Sequence, residues 1–297
     1  MNNGTTPRVY LIDASIYIFR AWHVYDASIT DCDGRPANAV FGFAEFLNQF
    51  LRQTRATHIA CAFDAAQTNS FRRELYPAYK ANRDPAPEEL KYQFALCRDV
   101  CRALGIAHFD SDRFEADDII GTLAAAYRGQ GFAVSVVTAD KDLTQLVLGE
   151  QDQWWDFARG TVLDRHGVRK HFGVMPALIA DMLALSGDKI DNIPGIPGIG
   201  YTTAARILQK YPGVEAILAN PGRIAEMKFR GAPRIQALLD QHGHILPLNK
   251  QLTTVRTDVP LGANALRQRA GVHRSCLDSL AEKLALGPAI QQRWAGA

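Results

Sequence analysis

Three aspartates follow apolar segments that predict β-strands. Asp13 closes the segment Val-Tyr-Leu-Ile, Asp64 closes Ile-Ala-Cys-Ala-Phe, and Asp140 lies just past Val-Ser-Val-Val-Thr. Because the ligand crevice of an open parallel sheet lies outside the carboxyl ends of its strands, we expect these acids to converge. One aspartate in such a position most often caps the following helix. Three at equivalent positions favour a shared chemical site.

A second acidic group lies in the segment 114–120, which contains Glu115, Asp117 and Asp118. Glu115 and Asp118 are three residues apart, so they are neighbours on a predicted helix and repel each other. Acids favour the first turn of a helix because of its dipole, which explains one or two of them. Three acids beside the predicted crevice are better explained by bound cations.

Two further groups extend the acidic rim. Asp142 lies two residues beyond the third strand-end aspartate, and Lys141 before it is expected to point elsewhere. The alternative role for Asp142 is the N-cap of a helix over Leu143–Leu148. Asp188 and Asp191 lie at the predicted end of a helix, where the dipole disfavours acids. That position requires a compensating cation.

The acidic set offers only oxygen ligands, which select hard ions, so we expect Mg²⁺ or Mn²⁺ rather than zinc. The eight histidines show no HExxH pattern, and no D-x-[DN]-x-[DN]-G calcium loop occurs. Two hard ions about 3.5–4 Å apart can activate a water and stabilise the leaving oxygen of a phosphodiester displacement. The acids therefore predict metal-dependent phosphoryl chemistry.

A segment rich in cations and rings follows the second predicted strand, over residues 71–83, and includes Arg72, Tyr79, Lys80 and Arg83. Such interleaving suits a nucleic-acid single strand, with Arg and Lys on phosphates and Tyr stacking on bases. The alternative is a solvated helix face. The position of the segment at the mouth of the acidic crevice favours the first interpretation.

The segment 190–200 is dense in Gly and Pro and separates two predicted helices, the second over Tyr201–Tyr211. Glycines let a backbone approach a phosphate closely, while the amides at the next helix N-terminus point at it. We therefore predict a hairpin that clamps the phosphate backbone of a duplex. Cations on the second helix add charge without reading sequence. The predicted interface consists of Gly195, Gly198, Gly200, Arg206 and Lys210.

The elements that must position these residues alternate between strand and helix, which implies βαβ units. The predicted fold class is α/β, with a twisted, mainly parallel sheet flanked by helices. The predicted strands are Val9–Ile12, Ile59–Phe63 and Val134–Thr138, and the predicted helices are Ala39–Leu51, Leu90–Leu104 and Ala116–Arg128.

The pattern changes after residue 155. Asp164–Val168 is predicted to form a turn, and Gly173–Pro176 opens a new helical stretch with Pro near its first turn. We therefore place a domain boundary near residue 172. The tail from about residue 262 shows no strong pattern.

The composition limits the class of protein. At 297 residues and 47% hydrophobic, the chain can form two domains, and its net charge of +2 does not by itself indicate a nucleic-acid binder. No segment approaches the roughly 20 apolar residues that span a bilayer, and the N-terminus has no signal-peptide pattern. We expect a soluble, cytoplasmic protein. The five cysteines fit neither a disulfide framework nor paired zinc ligands and are expected to be reduced.

These motifs together resemble the 5′-nuclease domain of bacterial DNA polymerase I and its flap-endonuclease relatives. The resemblance implies a PIN-like 5′-nuclease core over residues 1–172, with a helical arch at about 66–92, and an all-helical helix-hairpin-helix (SAM-like) domain over 173–297. The similar segments, in chain order, are Leu-Ile-Asp-Ala-Ser, Phe-Arg-Ala-Trp-His, Ala-Phe-Asp, Phe-Arg-Arg-Glu-Leu-Tyr, Tyr-Lys-Ala-Asn-Arg, Phe-Glu-Ala-Asp-Asp, Thr-Ala-Asp-Lys-Asp and Gly-Asp-Lys-Ile-Asp-Asn-Ile-Pro-Gly-Ile-Pro-Gly-Ile-Gly.

The resemblance also implies a structure-specific 5′-3′ exonuclease and flap endonuclease that hydrolyses DNA in replication or repair. It implies a monomer that acts on nicked, gapped or 5′-flap duplex DNA, in functional pairing with a DNA polymerase. The implied cofactors are two or more Mg²⁺ or Mn²⁺ ions, and a K⁺ ion at the hairpin. The implied metal-binding set is Asp13, Asp64, Glu115, Asp117, Asp118, Asp140, Asp142, Asp188 and Asp191.

Five residues fall on the substrate-side positions of the family. Among them Lys80 is the expected stabiliser of transition-state charge, with Arg72 beside it in the catalytic group. The five are Arg20, Arg72, Tyr79, Lys80 and Arg83.

Two departures from the family pattern each remove a phosphate contact. Ala66 stands where many members carry a lysine, and Tyr201-Thr202 replaces the usual Glu-Lys. They bear on DNA affinity and its salt dependence rather than on the chemistry. Because the polymerase that often follows this domain is absent from the sequence, we expect a stand-alone exonuclease or a piece of a longer protein.

Two other classes of protein share part of this pattern. A non-catalytic DNA-binding protein would keep the hairpin, but it would be expected to lose some of the acids, and none is missing here. A PIN-type ribonuclease shares the acidic crevice, but it needs neither the arch-like segment nor the duplex-binding hairpin.

Overall fold

The computed structural model describes residues 6–65, 70–262, 265 and 267–296. A six-stranded sheet has the order β3-β2-β1-β4-β5-β6. Neighbouring strands are parallel except β5 and β6, which are antiparallel. The strands are β1 (Arg8–Asp13), β2 (His58–Ala62), β3 (Ala107–Phe109), β4 (Ala133–Val137), β5 (Gln153–Asp156) and β6 (Thr161–Leu163).

The α-helices of the described residues fall into three groups along the chain. Those of the α/β layers are α1 (Ala14–Val24), α2 (Asn38–Thr54), α3 (Phe71–Leu75), α4 (Glu88–Ala103), α5 (Ala116–Gly129) and α6 (Arg165–Phe172). The helical part follows with α7 (Ile179–Ser186), α8 (Tyr201–Leu208), α9 (Val214–Ala219), α10 (Ala232–His242) and α11 (Leu246–Thr253). The last group is α12 (Arg274–Lys283) and α13 (Pro288–Ala295).

Helices cover both faces of the sheet. Val9 and Leu11 of β1 belong to one hydrophobic core together with Ile119 of α5, whereas Ile12 belongs to a second core together with Phe43 of α2. Successive side chains of a strand point to opposite faces, so the central strand is buried by both cores. The predicted α/β fold with a mainly parallel, flanked sheet is therefore confirmed.

The predicted strands and helices are all present, with their ends shifted by a few residues. The turn predicted over Asp164–Val168 is wrong, because this segment begins α6. Asp164 caps α6 by accepting from the amide of Gly167 at 2.7 Å, and Gly173 ends it with a φ of 80°. Asp and Gly close together resemble a turn in sequence, but here they are the two ends of a short helix.

The predicted helical hairpin is present as α7, a loop and α8. Its loop is compact because two glycines face each other across it. A Cβ on Gly187 would clash with the backbone of Gly195, and a Cβ on Gly195 would clash with Ser186 and Gly187. The helix after the loop ends at Leu208, which is earlier than predicted.

The tail without a sequence pattern contains α12 and α13, which pack against α4 and α2 of the α/β layers. Trp294 is fully buried there, and its indole nitrogen donates to Glu45 Oε1 at 2.8 Å. Both helices are short, which explains the weak pattern. None of the helices in the described residues is long and apolar enough to cross a membrane.

Candidate active site

The carboxyl ends of three neighbouring strands bring the strand-end aspartates to one edge of the sheet. β1 lies between β2 and β4. Asp13 ends β1, Asp64 follows β2 and Asp140 follows β4. The hydroxyl of Thr138 donates to Asp13 Oδ2 at 2.9 Å and accepts from the amide of Asp140 at 3.0 Å. The structure thus brings together the three acids that the sequence singled out.

Burial gives this acidic cluster unusual pKa values. Burial raises the pKa of Asp13 to about 7, and the charges of Asp64 and Asp140 add to the effect. Burial, followed by the charges of Asp140 and Asp13, raises the pKa of Asp117 well above its ordinary value. The pKa of Asp142 rises to about 7 through burial and the charge of Asp140. Crowded carboxylates with raised pKa values lack positive charge, which a bound cation would supply.

Glu115, the N-cap of α5, is compensated by cations from the segment 71–83. Lys80 Nζ donates to Glu115 Oε2 at 2.9 Å, and Arg72 Nη1 lies 3.6 Å from the same oxygen. Burial would raise the pKa of Glu115, but the charges of Lys80 and Arg72 outweigh it and lower that pKa. The other oxygen, Oε1, is buried and has no hydrogen-bond partner among the described residues.

Asp118 and Arg72 form a buried pair of their own. Arg72 donates from Nη1 and Nη2 to the two Asp118 oxygens at 2.7 and 2.8 Å, and from Nε to the carbonyl of Leu252 at 2.8 Å. Asp118 also accepts from the amides of Glu115 and Arg256 at 3.1 and 2.9 Å. These contacts occupy both side chains. The predicted metal-binding role of Asp118 and the predicted catalytic role of Arg72 stay predictions, and in this conformation the two side chains are paired with each other.

Asp188 and Asp191 lie in the hairpin loop rather than at the end of a helix as predicted. Helix α7 ends at Ser186, and Gly187 turns the chain with a φ of 72°. The loop brings both aspartates to the acidic rim, where their charges contribute to the raised pKa of Asp142. The hairpin thus adds carboxylates to the crevice of the α/β layers.

Lys141 points into the acidic rim, contrary to the expectation that it would point elsewhere. Its Nζ lies 3.3 Å from Asp142 Oδ1 and 3.6 Å from Asp188 Oδ2. The predicted helix over Leu143–Leu148 is a 3₁₀ helix over Lys141–Leu146, and its N-cap is Asp140 rather than Asp142. The tighter winding of a 3₁₀ helix changes the directions of its first side chains.

Tyr79 is only 2% exposed, so it is not available to stack on a base in this structure. Its hydroxyl contacts Glu115 Oε2 and Asp191 Oδ2, each at 3.0 Å. The predicted stacking of Tyr79 on a base therefore stays a prediction, because the buried ring contacts carboxylates in this conformation. The same segment also places Arg83 Nη2 2.5 Å from Asp191 Oδ1. Ala66 and the start of the predicted arch, residues 66–69, lie outside the described residues.

The three hairpin glycines have different surroundings. Gly195 packs against the backbone of Ser186 and Gly187, so its small size serves the loop itself. Gly198 has a φ of 80°, a conformation that favours glycine. Gly200 is the N-cap of α8 and faces open space, where a ligand could approach the amides of the helix.

The remaining predicted DNA contacts are exposed cations. Arg20 lies on α1 and lines a groove with Tyr17 and Arg52. Arg206 on α8 and Lys210 just beyond it line another groove on the helical part. Neither groove is lined by the strand-end acids.

The side chains present fit a divalent metal in their chemistry. Asp142 Oδ1, like Glu115 Oε1, is buried without a hydrogen-bond partner among the described residues. Within the same part of the chain, however, no three Asp, Glu, His or Cys side chains are close enough to hold one ion. Lys80, Arg83 and Lys141 lie against the acids instead. Direct coordination requires these cations to move aside.

Two residues of the site were missed from the sequence. Thr138 joins two strand-end aspartates, and its only sequence signal is a hydroxyl residue just before Asp140. Tyr201 begins α8 and faces Lys141, with Nζ 5.7 Å from the ring centroid. From the sequence, Tyr201 was noted only as part of a departure from the family pattern that removes a phosphate contact.

The fold and its acidic edge define a resolvase-like α/β domain joined to a helical domain with a SAM fold. The family model of the 5′-3′ exonuclease N-terminal resolvase-like domain matches residues 8–173, and that of the 5′-3′ exonuclease C-terminal SAM fold matches residues 174–271. The chain belongs to the 5′-3′ exonuclease family. The predicted family and its two-part fold are therefore confirmed.

Individual relatives agree with the family models. The chain is 39% identical over 260 residues to DNA polymerase I of Rhizobium leguminosarum. The aligned region is 85% of this chain but only 25% of that relative. A T5 5′-exonuclease structure with bound zinc has a TM-score of 0.67 at 20% identity and 97% coverage of both chains. The T5 D15 flap endonuclease, solved as a pseudo-enzyme-product complex with DNA and metal ions, has a TM-score of 0.68 at 19% identity, again with 97% coverage of both chains.

Proposed function

We propose that this protein is a structure-specific 5′-3′ exonuclease and flap endonuclease that hydrolyses DNA with two or more Mg²⁺ or Mn²⁺ ions. The observation that carries the proposal is the cluster of buried and half-buried carboxylates at the strand ends, next to a helical hairpin. Carboxylates this close repel one another unless they are protonated or bind cations. Relatives solved with divalent metals and with DNA support the same reading.

The proposed metal ligands are the predicted carboxylates whose two oxygens are not both held by a single protein side chain. The chemistry that two bound divalent ions supply is activation of a water and stabilisation of the leaving oxygen. Asp118 is left out of the direct ligands because of its bidentate pair with Arg72. The proposed set is Asp13, Asp64, Glu115, Asp117, Asp140, Asp142, Asp188 and Asp191.

Lys80 is the proposed stabiliser of charge on the scissile phosphate. Its Nζ lies between Glu115 and Asp191, at 2.9 and 3.8 Å. Burial would lower its pKa, but these carboxylates outweigh burial and raise it, so the amine stays protonated at neutral pH. A protonated amine in a partly buried site stabilises developing phosphate charge more than the same amine would in water.

Arg72 is a positioning residue in this proposal. It ties the first turn of α5, through Asp118, to the carbonyl of Leu252 in the helical part. Glu115 caps this turn and Asp117 lies within it. Arg72 therefore acts on the chemistry by fixing where two proposed ligands stand.

The duplex is proposed to bind along the helical part, with its phosphates at Gly198, Gly200, Arg206 and Lys210. We propose Arg20 and Arg83 as contacts to the 5′ strand. Contacts to phosphates make binding depend on salt rather than on sequence.

We also propose a K⁺ ion at the hairpin loop. Duplex binding in KCl and in LiCl at equal ionic strength tests the K⁺ ion.

The cellular setting is proposed from the relatives. One of them is the DNA polymerase I of Rhizobium leguminosarum, of which this chain spans 25% of the length, and this supports a role in replication or repair beside a polymerase. We further propose that the protein is a monomer and acts in the cytoplasm.

The test is incubation with 5′-labelled nicked, gapped and flap duplexes, with Mg²⁺ or with EDTA, beside a single-stranded RNA control. We expect Mg²⁺-dependent products cut at or near the 5′ end of DNA only. Cleavage of the RNA alone would favour a PIN-type ribonuclease. Binding without cleavage would favour a non-catalytic DNA-binding protein.

A further inference from the structure

Lys141 joins carboxylates from the two domains of the protein. Its Nζ lies 3.3 Å from Asp142, at the start of the 3₁₀ helix after β4, and 3.6 Å from Asp188 in the hairpin loop. Both acids belong to the proposed metal set. Since Asp142 Oδ1 has no hydrogen-bond partner among the described residues, the ammonium is its nearest compensation. Lys141 therefore lies where a divalent ion bridging this pair would also be attracted.

Tyr201 also contacts the ammonium of Lys141. The Lys141 Nζ lies 5.7 Å from the centroid of its ring, within the range of a cation–π contact. Burial would lower the pKa of Lys141, but the charge of Asp142 and the contacts with Tyr201 and Asp188 raise it. The ammonium is thus held charged by two carboxylates and one aromatic face.

We propose that the ammonium of Lys141, held in place by Tyr201, is the counter-ion of the Asp142–Asp188 pair when no divalent ion is bound there. The ammonium thereby weakens metal binding at that pair. This inference rests on the proposed function of these carboxylates as metal ligands. A divalent ion and an ammonium repel each other, so binding of the ion displaces Lys141 from the pair. The contact with the Tyr201 ring stabilises only the metal-free arrangement, and its energy opposes metal binding.

The sign of the effect follows from this competition. Removing the ring destabilises the arrangement with Lys141 on the carboxylates, so the metal binds more tightly. A cation–π contact at an exposed site corresponds to about a two- to fivefold change in an equilibrium constant. Tyr201→Leu should therefore tighten Mn²⁺ binding at the weaker site by about two- to fivefold, and Lys141→Met by more. Tyr201→Phe keeps the ring but loses the contact of the hydroxyl with Lys141, so it should tighten Mn²⁺ binding less than Tyr201→Leu.

The experiment is Mn²⁺ titration of the DNA-free protein, followed by calorimetry and by electron paramagnetic resonance of free Mn²⁺. Lys189→Met is the matched control, since Lys189 is exposed and follows Asp188 directly, so its loss removes one positive charge next to the same aspartate. We expect Lys189→Met to tighten binding less than Lys141→Met. Adding Asp188→Asn should abolish the difference between Tyr201→Leu and wild type, because it removes half of the pair.

Equal Mn²⁺ affinities for wild type, Tyr201→Leu and Lys141→Met would overturn the proposal, as would weaker binding in Lys141→Met. An equal gain in Lys189→Met would also overturn it, because bulk charge would then explain the effect. Thermal unfolding of each variant ensures that folded proteins are compared. Cleavage of the 5′-flap duplex is measured separately. If the Mn²⁺ affinities follow the expected order but the protein does not cleave the duplex, the result counts against the proposed function alone.

Discussion

The hydroxyl of Tyr79 lies 3.0 Å from both Glu115 Oε2 and Asp191 Oδ2. Glu115 caps α5 of the α/β domain, and Asp191 belongs to the hairpin loop, so one buried side chain joins acids from both domains. A hydroxyl carries a single proton, which these two carboxylates must share. Tyr79 therefore holds the two carboxylates at a fixed separation.

Tyr79→Phe removes only this hydroxyl. A hydrogen bond to a charged group contributes about 1.5–3 kcal/mol, so we expect at least a tenfold fall in kcat with little change in KM. Steady-state cleavage of a 5′-flap duplex measures both. Tyr76→Phe, in the same segment, is the control. A phenylalanine variant with wild-type kcat would instead support a stacking role, which needs only the ring.

Lys80→Ala should slow cleavage far more than it weakens binding. Loss of a donor that stabilises transition-state charge costs about 10²–10³ in rate. Single-turnover cleavage gives the chemical step, and binding in Ca²⁺ gives the affinity. Lys91→Ala, at an exposed lysine of α4, controls for loss of charge. A large loss of affinity at an unchanged cleavage rate would make Lys80 a binding contact only.

Arg72→Met should destabilise the fold, because it leaves Asp118 buried without its bidentate partner. Removing one member of a buried ion pair costs about 3–5 kcal/mol. The double variant Arg72→Met with Asp118→Leu should recover most of this loss, since no charge is then left unpaired. Urea denaturation at pH 7 measures the free energy of unfolding. An unfolding midpoint of Arg72→Met equal to that of wild type would contradict the pairing.

Asp13→Asn should stabilise the metal-free protein at alkaline pH. The pKa of Asp13 is about 7 in the fold against an ordinary value of 3.8, so ionisation opposes folding. The cost is absent near pH 4, grows as the pH rises to about 7, and is then constant, at about 2–4 kcal/mol. Urea denaturation in EDTA between pH 5 and 8 should show the advantage of the variant increasing with pH. An advantage that does not change with pH would contradict the raised pKa.

The predictable part of the site was its strand-end acids, because the topology of a parallel sheet fixes where strands end. Asp13, Asp64 and Asp140 needed only the order of three strands. Pairing was not predictable in the same way. Asp118 pairs with Arg72, and Arg72 also donates to the carbonyl of Leu252. Leu252 is distant in the chain, so the sequence does not reveal this arrangement.

The short elements of the fold were missed for a related reason. β3 and β6 have three residues each, too few for a periodic pattern, and they form because longer strands lie beside them. Likewise α12 and α13 are defined by packing on α4 and α2. Lys141 begins a 3₁₀ helix, and so short a segment does not reveal this winding in sequence.

The most direct measurement of metal-dependent catalysis at the strand ends compares Asp140→Asn with Asp164→Asn. Both aspartates are helix N-caps, and asparagine keeps the cap, so the two changes differ in place rather than in chemistry. With Mg²⁺ and a 5′-flap duplex, Asp140→Asn should lose cleavage while still binding the duplex in EDTA, and Asp164→Asn should cleave like the wild type. Full cleavage by Asp140→Asn would contradict catalysis at these carboxylates.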